Sequence, residues 1–592
     1  MKNFTVNEKG NITNSLEGSA SECLGLVNLY HNAIGKRGGG MGGKGGKGGK
    51  GGKGGKGGKG GKGGKGNSTV DFDENKINDI VDFIYKNIDN LDTFEEKKEY
   101  LSYFAKLVFH IRDHKEGNGE RLLAFKLILR LYEKLPGFVI ASLALLTGGY
   151  DNETNKDEDN MGKPFGGFLD LNKLYELCTS KHEDLKNAIV SYYIKCIIID
   201  QYKDVPSLAG KWIPRENKCY DRLAKTIANT LFIDKIPLYK KMEKYRKLIG
   251  GIMKKITVIE TLMTEGRWDE IEVKNIPSKS LIKYLYAFKN EDKATGALRH
   301  PNDEKRMILR QKILDEHSKT PEDSRINVKG LQPYEIVREV INNRLLANQE
   351  RDIITLWDKF VYEWTKSLET DKNSEDVSDM VIMADVSASM QGIAMEACIA
   401  LSLLFTDKLK GPWKNKVLTF ESEPVWHDIP EHLNIVEKIR NLKAAPWGGS
   451  TNIGLALEHI LSNAIKNDVK QDEMPSKLLI LSDMQFNQAC EPNDSFLTGF
   501  EFLQLKYSNY GYKMPCIVFW NLRGDTNGYV NKTNQKGTAM LSGFGPSSFK
   551  AILSGKFDIN STPWDTLKNI LDSNRLKNLD KILNTYINPF QI

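Results

Sequence analysis

Residues 380–392 read MVIMADVSASMQG. Val381, Ile382, Met383 and Ala384 form a short apolar run without alternation, the pattern of a strand buried on both faces of a parallel sheet. The run stops at Asp385, and Ser387 and Ser389 follow at every second position. A carboxylate and two hydroxyls just past a strand end place hard oxygen donors on one side of a turn. That donor type suits Mg²⁺, or Mn²⁺ or Ca²⁺, rather than Zn²⁺. Open parallel sheets also bind ligands beyond the carboxyl ends of their strands.

Two later stretches add to the set. Thr451 lies in Trp447-Gly448-Gly449-Ser450-Thr451-Asn452, a glycine loop running into a helical pattern. Asp483 follows a second buried-looking run, Leu478-Leu479-Ile480-Leu481-Ser482. Asp-x-Ser-x-Ser, a later loop Thr and a strand-end Asp together resemble the metal-ion-dependent adhesion site of a von Willebrand factor A domain. The resemblance implies that Asp385, Ser387, Ser389 and Thr451 hold Mg²⁺ directly or through water, with Asp483 in the outer ring.

The text around this stretch alternates between strands and helices. Strand 380–385 precedes helix 393–408, and strand 416–420 precedes helix 432–441. Helix 453–466, strand 477–482 and strands at 516–520 and 538–542 follow, with helices near 547–553 and 564–583 closing the chain. Such alternation predicts a doubly wound parallel sheet.

Upstream the rhythm is different. Ile77, Ile80, Val81 and Ile84 follow helical spacing, as do Leu101, Phe104, Ala105, Leu107 and Val108. Similar patterns recur at 122–135, 171–177, 188–199 and 223–232. Gly117-Asn118-Gly119, Pro136-Gly137, Gly148-Gly149, Pro206 and Pro214 mark breaks. Helices of a few turns with short breaks predict a HEAT-like solenoid of stacked helix pairs, although no clean repeat period is present. The polar segment 367–379 is the boundary. The expected organisation is therefore an N-terminal segment over 1–35, a disordered repeat over 36–66, a helical domain over 67–375 and an A-like domain over 376–592.

The repeat is Gly-Gly-Lys, eight times, with Lys44, Lys47, Lys50, Lys53, Lys56, Lys59, Lys62 and Lys65. Glycine at this density has too much backbone freedom to fold, and lysine adds self-repulsion. No Gly-Lys is followed by Ser or Thr, so the tract is not a phosphate-binding loop. Residues 36–66 carry +10 and no acid. The whole chain carries +7, so the remainder carries −3. The tract reads as a solvated tether, or as a non-specific contact for nucleic acid through its lysines.

With 592 residues the chain has room for about two to four domains. It shows no apolar run of membrane-spanning length, and its first residues, MKNFTVNEKG, lack a signal core. A cytoplasmic protein without a membrane partner is expected. Seven scattered cysteines include no Cys-x-x-Cys pair, so neither a zinc site nor a redox dithiol is indicated. His110 and His114, four apart, lack a third ligand. The acidic segment 151–160 has Lys156 where a calcium loop needs glycine. Lys211-Trp212-Ile213-Pro214 reads as a turn packing a helix pair, rather than as a base-stacking contact.

Taken together, several of these motifs resemble the domain-of-unknown-function family 2828. They are Arg112-Asp113 with Gly117-Asn118-Gly119-Glu120-Arg121, then Lys211-Trp212-Ile213-Pro214, Asp385-Val386-Ser387-Ala388-Ser389-Met390 and the Trp447–Asn452 loop. Ser482-Asp483-Met484 and Phe519-Trp520-Asn521-Leu522-Arg523 complete them, so the likeness runs from Asp71 to the C-terminus. The order of parts also resembles the TROVE-module Ro autoantigen, which joins helical repeats to an A-type domain and binds RNA. These resemblances imply a non-enzymatic protein that engages a protein or RNA partner, or else a ribonucleoprotein component. A metal-dependent phosphodiesterase is disfavoured, because two-metal hydrolysis needs more carboxylates than this set contains.

Overall fold

The computed structural model describes residues 5–6, 12–13, 26–27, 29–30, 74–148, 164–256, 258–343, 345–369, 379–409, 411–419, 424–445, 453–483, 495–523, 537–543 and 562–587. The lysine tract, the acidic segment 151–160, Thr451 with its glycine loop, the segment 370–378 and the expected helix 547–553 lie outside the described residues.

Among the described residues, those between Glu74 and Glu369 are mostly helical, and a six-stranded sheet follows. Its strands are β1 (Met380–Ala384), β2 (Lys416–Thr419), β3 (Trp426–Asp428), β4 (Lys477–Ser482), β5 (Cys516–Asn521) and β6 (Thr538–Ser542). Their order is β3-β2-β1-β4-β5-β6. All neighbours are parallel except β2 and β3, which are antiparallel. The register is continuous across the centre: Ala384 of β1 faces Leu481 of β4, which in turn faces Trp520 of β5.

Buried residues alternate between the two faces of the sheet. Val381, Met383, Leu478, Ile480, Ile517 and Phe519 share one core with Ile453, Leu457 and Ile460 of the helix Ile453–Lys466. Met380, Ile382, Ala384, Leu479, Leu481, Val518 and Trp520 belong to the other, which runs without interruption into the helical region. Three helices make that continuity: α1 (Phe94–Arg112), α2 (Pro333–Asn342) and α3 (Ile393–Thr406). Almost every residue of α3 is buried, since it packs on the sheet with one side and on α2 with the other. A helix that is apolar all round is one covered all round. Its one buried acid, Glu396, is matched across the junction by Arg338 Nε at 2.7 Å and Asn342 Nδ2 at 3.1 Å.

The C-terminal helices α4 (Pro563–Leu571) and α5 (Lys577–Tyr586) also join the two regions. The first packs against both β6 and α1, and the second packs against α1. Leu567, Leu571, Leu579 and Leu583 are buried in the shared core. Around them, Tyr103 meets Trp564 edge-on at 5.5 Å, and Lys106 Nζ lies 3.0 Å from Asp580. Arg575 spans the junction with a two-point contact to Asp113, at 2.9 and 3.1 Å. Near the N-terminus, Leu26, Val27, Leu29 and Tyr30 are buried in the same core, and the Tyr30 hydroxyl donates to Ser542 O at 3.2 Å.

The motif Gly117-Asn118-Gly119-Glu120 closes the end of α1. The last carbonyls of a helix have no partner inside it. Here Asn118 N donates to His110 O, Glu120 N to Ile111 O, and Gly117 N and Gly119 N both to Asp113 O. Gly119 takes φ +69°, a region that glycine enters without strain. Arg112 and Arg121, flanking this turn, both bind the buried Asp170.

The imidazole of His110 is buried in this corner, 5.9 Å from the Tyr30 ring. Its Nε2 meets no hydrogen-bond partner among the described residues. Burial is the main cause that lowers its pKa, to about 4, and the nearby Asp113 opposes the shift. The unfolded chain then binds the proton first, so stability should be lost as pH falls below the free value of about 6.5. Between pH 7 and pH 5 this one group should cost about 2 kcal/mol. Urea midpoints at the two pH values should therefore differ less for His110→Gln than for the natural protein. Equal differences would show that the imidazole charges freely in the folded state.

Several element limits differ from the sequence reading. The helix expected at 432–441 is Ile435–Lys443, because the Asn434 side chain accepts from Val436 N and Glu437 N and fixes its start there. The closing helices expected around 564–583 are Pro563–Leu571 and Lys577–Tyr586, with a break between Asp572 and Leu576. The edge strand β3 was not anticipated, since Trp-His-Asp has no apolar run. A short polar edge strand of this kind resists pairing with another chain. The helix Ser495–Asn509 was also not anticipated. Among the described residues no helix is long and apolar enough to cross a membrane.

Candidate divalent-cation site at the carboxyl end of the sheet

Strand order reverses between β1 and β4: the chain builds outward from β1 through β2 to β3, then returns to the other side of β1. In open parallel sheets this is the place where ligands bind, beyond the carboxyl ends of the strands. Asp385 follows β1 directly and Asp483 follows β4 directly. The topology thus places both acids at the switch point.

Hydrogen bonds fix the geometry. Asp385 N donates to Leu481 O at 2.9 Å, continuing the β1–β4 ladder by one step. Asp385 Oδ1 accepts from Ser387 N at 2.9 Å, and Oδ2 accepts from Ser482 Oγ at 2.8 Å. The Ser387 and Ser389 hydroxyls lie 2.9 Å apart. On the β5 side, the Arg523 guanidinium donates to Ser389 O and comes within 3.9 Å of Asp483 Oδ2. The Cys398 thiol of α3 donates to the same Leu481 O at 3.7 Å.

Asp385 and Asp483 are 2 % and 1 % exposed, so water does little to stabilise their charge. Burial pushes the Asp385 carboxyl above its usual range, and hydrogen bonds from Ser387 and Ser482 only partly oppose this. The charge of Asp483 adds to the rise. A buried carboxylate disfavoured in this way gains from a bound cation. Two carboxylates and two converging hydroxyls are hard oxygen donors, and the set fits a divalent ion of the Mg²⁺ or Mn²⁺ type. Among the described residues no three His, Cys, Asp or Glu side chains gather as a metal-binding group, so any ion here relies on hydroxyl oxygens as well.

Of the residues expected from sequence, Asp385, Ser387, Ser389 and Asp483 come together. Thr451 and the eight repeat lysines lie outside the described residues. The sequence reading missed Ser482 and Arg523 as members of the site. Each stood in a motif already singled out, Ser482 beside Asp483 and Arg523 at the end of the Phe519–Arg523 stretch. What was missing was the strand order that brings them together. His110 and His114 form no half-site: the first is buried against Tyr30, while Nδ1 of the second lies 3.0 Å from Phe165 O. The Trp212 turn packs helices, with Asn172 Nδ2 donating to Trp212 O at 3.0 Å and Tyr245 Oη to Pro214 O at 2.9 Å.

Comparison with known families places these features. Residues 197–296 match a domain of unknown function, DUF2828. The chain carries the DUF2828 match. It covers the Trp212 turn and the helices around it. A separate family of unknown function, DUF7788, matches residues 379–588, which hold the whole sheet, the Asp385 site and the C-terminal helices. The likeness to DUF2828 expected to reach the C-terminus is therefore divided between two families. The chain is also 27 % identical over 493 residues to an uncharacterised protein, L728, of Acanthamoeba polyphaga mimivirus, an alignment covering 79 % of each chain.

Proposed function

We propose that this protein is a non-enzymatic binding protein of the cytoplasm, in which a von Willebrand factor A-like domain presents a divalent cation beside a HEAT-like helical platform. The observation carrying this reading is the meeting of Asp385, Ser387, Ser389 and Asp483 at the switch point of the sheet. Asp385, Ser387, Ser389 and Thr451 would hold Mg²⁺ or Mn²⁺, with Asp483 in the outer ring. A remaining coordination position would take a carboxylate or phosphate oxygen from a protein or RNA partner. The continuous core between sheet and helices supports a platform held at a fixed angle to this site.

A ligand that binds only the folded state stabilises it by mass action, by about 2.7 kcal/mol at a hundredfold excess over Kd. Mg²⁺ should therefore raise the Tm of the natural protein and leave that of Asp385→Ala unchanged. An equal rise in both would place the ion elsewhere.

A second reading, a ribonucleoprotein component, is favoured by one observation, the segregation of +10 into residues 36–66 against −3 in the remainder. In that case the lysines from Lys44 to Lys65 supply a salt-dependent contact to RNA.

A further inference from the structure

Arg523 stands two residues beyond β5, and its backbone is fixed. Leu522 N donates to Ser482 O at 2.9 Å, and Arg523 N donates to the buried Asn521 Oδ1 at 2.9 Å. Its side chain is less confined, being 29 % exposed. The guanidinium reaches across the end of β4, approaches Asp483 and donates to the carbonyl of Ser389, in the loop that carries both hydroxyls. It therefore touches both halves of the site, the β1 loop and the β4 acid.

We propose that Arg523 is a resident counter-cation of the Asp385 site, and that a divalent ion binds in competition with its guanidinium. The inference rests on the reading of this site as a divalent-cation site. Two buried carboxylates side by side favour a positive charge between them, and Arg523 supplies one from within the chain. An incoming divalent ion meets a like charge a few ångströms away, within a site where water screens weakly. Ion binding then requires the Arg523 side chain to retract towards solvent, while its anchored backbone keeps β5 in place. The ion affinity of the site is accordingly set low by design, and an anionic partner group that drew Arg523 away would raise it.

Mn²⁺ titration of the full chain tests this, with Arg523→Gln and Arg523→Lys beside the natural protein and Asp385→Ala. Gln keeps a donor for Ser389 O but removes the charge, whereas Lys keeps the charge. Competition predicts a Kd roughly tenfold lower in Arg523→Gln and little changed in Arg523→Lys. A Kd in Arg523→Gln equal to or weaker than that of the natural protein overturns the proposal and makes Arg523 a structural tie for the loop. The two claims separate cleanly. If the natural protein binds Mn²⁺, Asp385→Ala does not and Arg523→Gln shows no gain, the site stands and the competition fails. If the natural protein and Asp385→Ala bind alike, the site itself fails, and the competition with it.

Discussion

Asp113→Ala should destabilise the protein by about 3–5 kcal/mol, the usual cost of leaving a buried charge without its partner. Asp113 is 1 % exposed and Arg575 7 %. The guanidinium makes two bonds to the carboxylate, adds a third to Pro164 O at 3.2 Å, and lies 4.4 Å over the Phe165 ring. Asp113 belongs to the end of α1, and Arg575 to the break between α4 and α5. The pair therefore fastens the C-terminal helices to the helical region. Removing both charges should cost less than removing one, since an apolar replacement of a buried pair is often neutral. Urea denaturation of Asp113→Ala, Arg575→Met and the double variant measures this. The single Asp113 change should be the most damaging of the three. A loss below about 1 kcal/mol in Asp113→Ala would mean that Arg575 finds water or another acid, and that the clamp is weak.

Gly117→Ala should be almost as damaging. A Cβ at this position would lie 1.8 Å from His110 O and 2.9 Å from Asp113 O. Both obstacles are backbone, and both carbonyls already accept the bonds that close α1. The turn can make room only by giving up those bonds, so about 3 kcal/mol or more should be lost. Gly250→Ala is the matched control. It lies within the helix Leu238–Lys255, and a Cβ there meets nothing within 4 Å. That change should stabilise by about 0.5–1 kcal/mol, because glycine in a helix interior pays more backbone entropy than alanine. A gain at Gly117 like that at Gly250 would show that backbone entropy, and not the close approach at Gly117, governs these sites.

The central strands were legible because they are fully buried. Residues 380–384, 477–482 and 516–521 carry almost continuous apolar runs, which amphipathic helices do not. Helix α3 was legible for the same reason, although its full burial came from α2, a neighbour no local pattern announces. The acid and hydroxyls after β1 could be read because three donors sit within five residues. Ser482 and Arg523 could not be assigned, because their roles depend on which strands are adjacent. The Gly117–Arg121 motif was visible as a glycine-rich turn, but its task of satisfying the α1 carbonyls appears only once the helix end is located. Likewise, Arg575, between the two C-terminal helices, gained meaning only beside Asp113.

The Asp385 site should take one divalent ion per chain. Counting Mn²⁺ bound per chain, in the natural protein and in Ser387→Ala/Ser389→Ala, tests it most directly. Neither serine is part of the buried core, so the variant should keep its fold, which circular dichroism can check. One ion per chain is expected in the natural protein, and loss of that ion when the two hydroxyls are removed. The same stoichiometry and affinity in both proteins would contradict it.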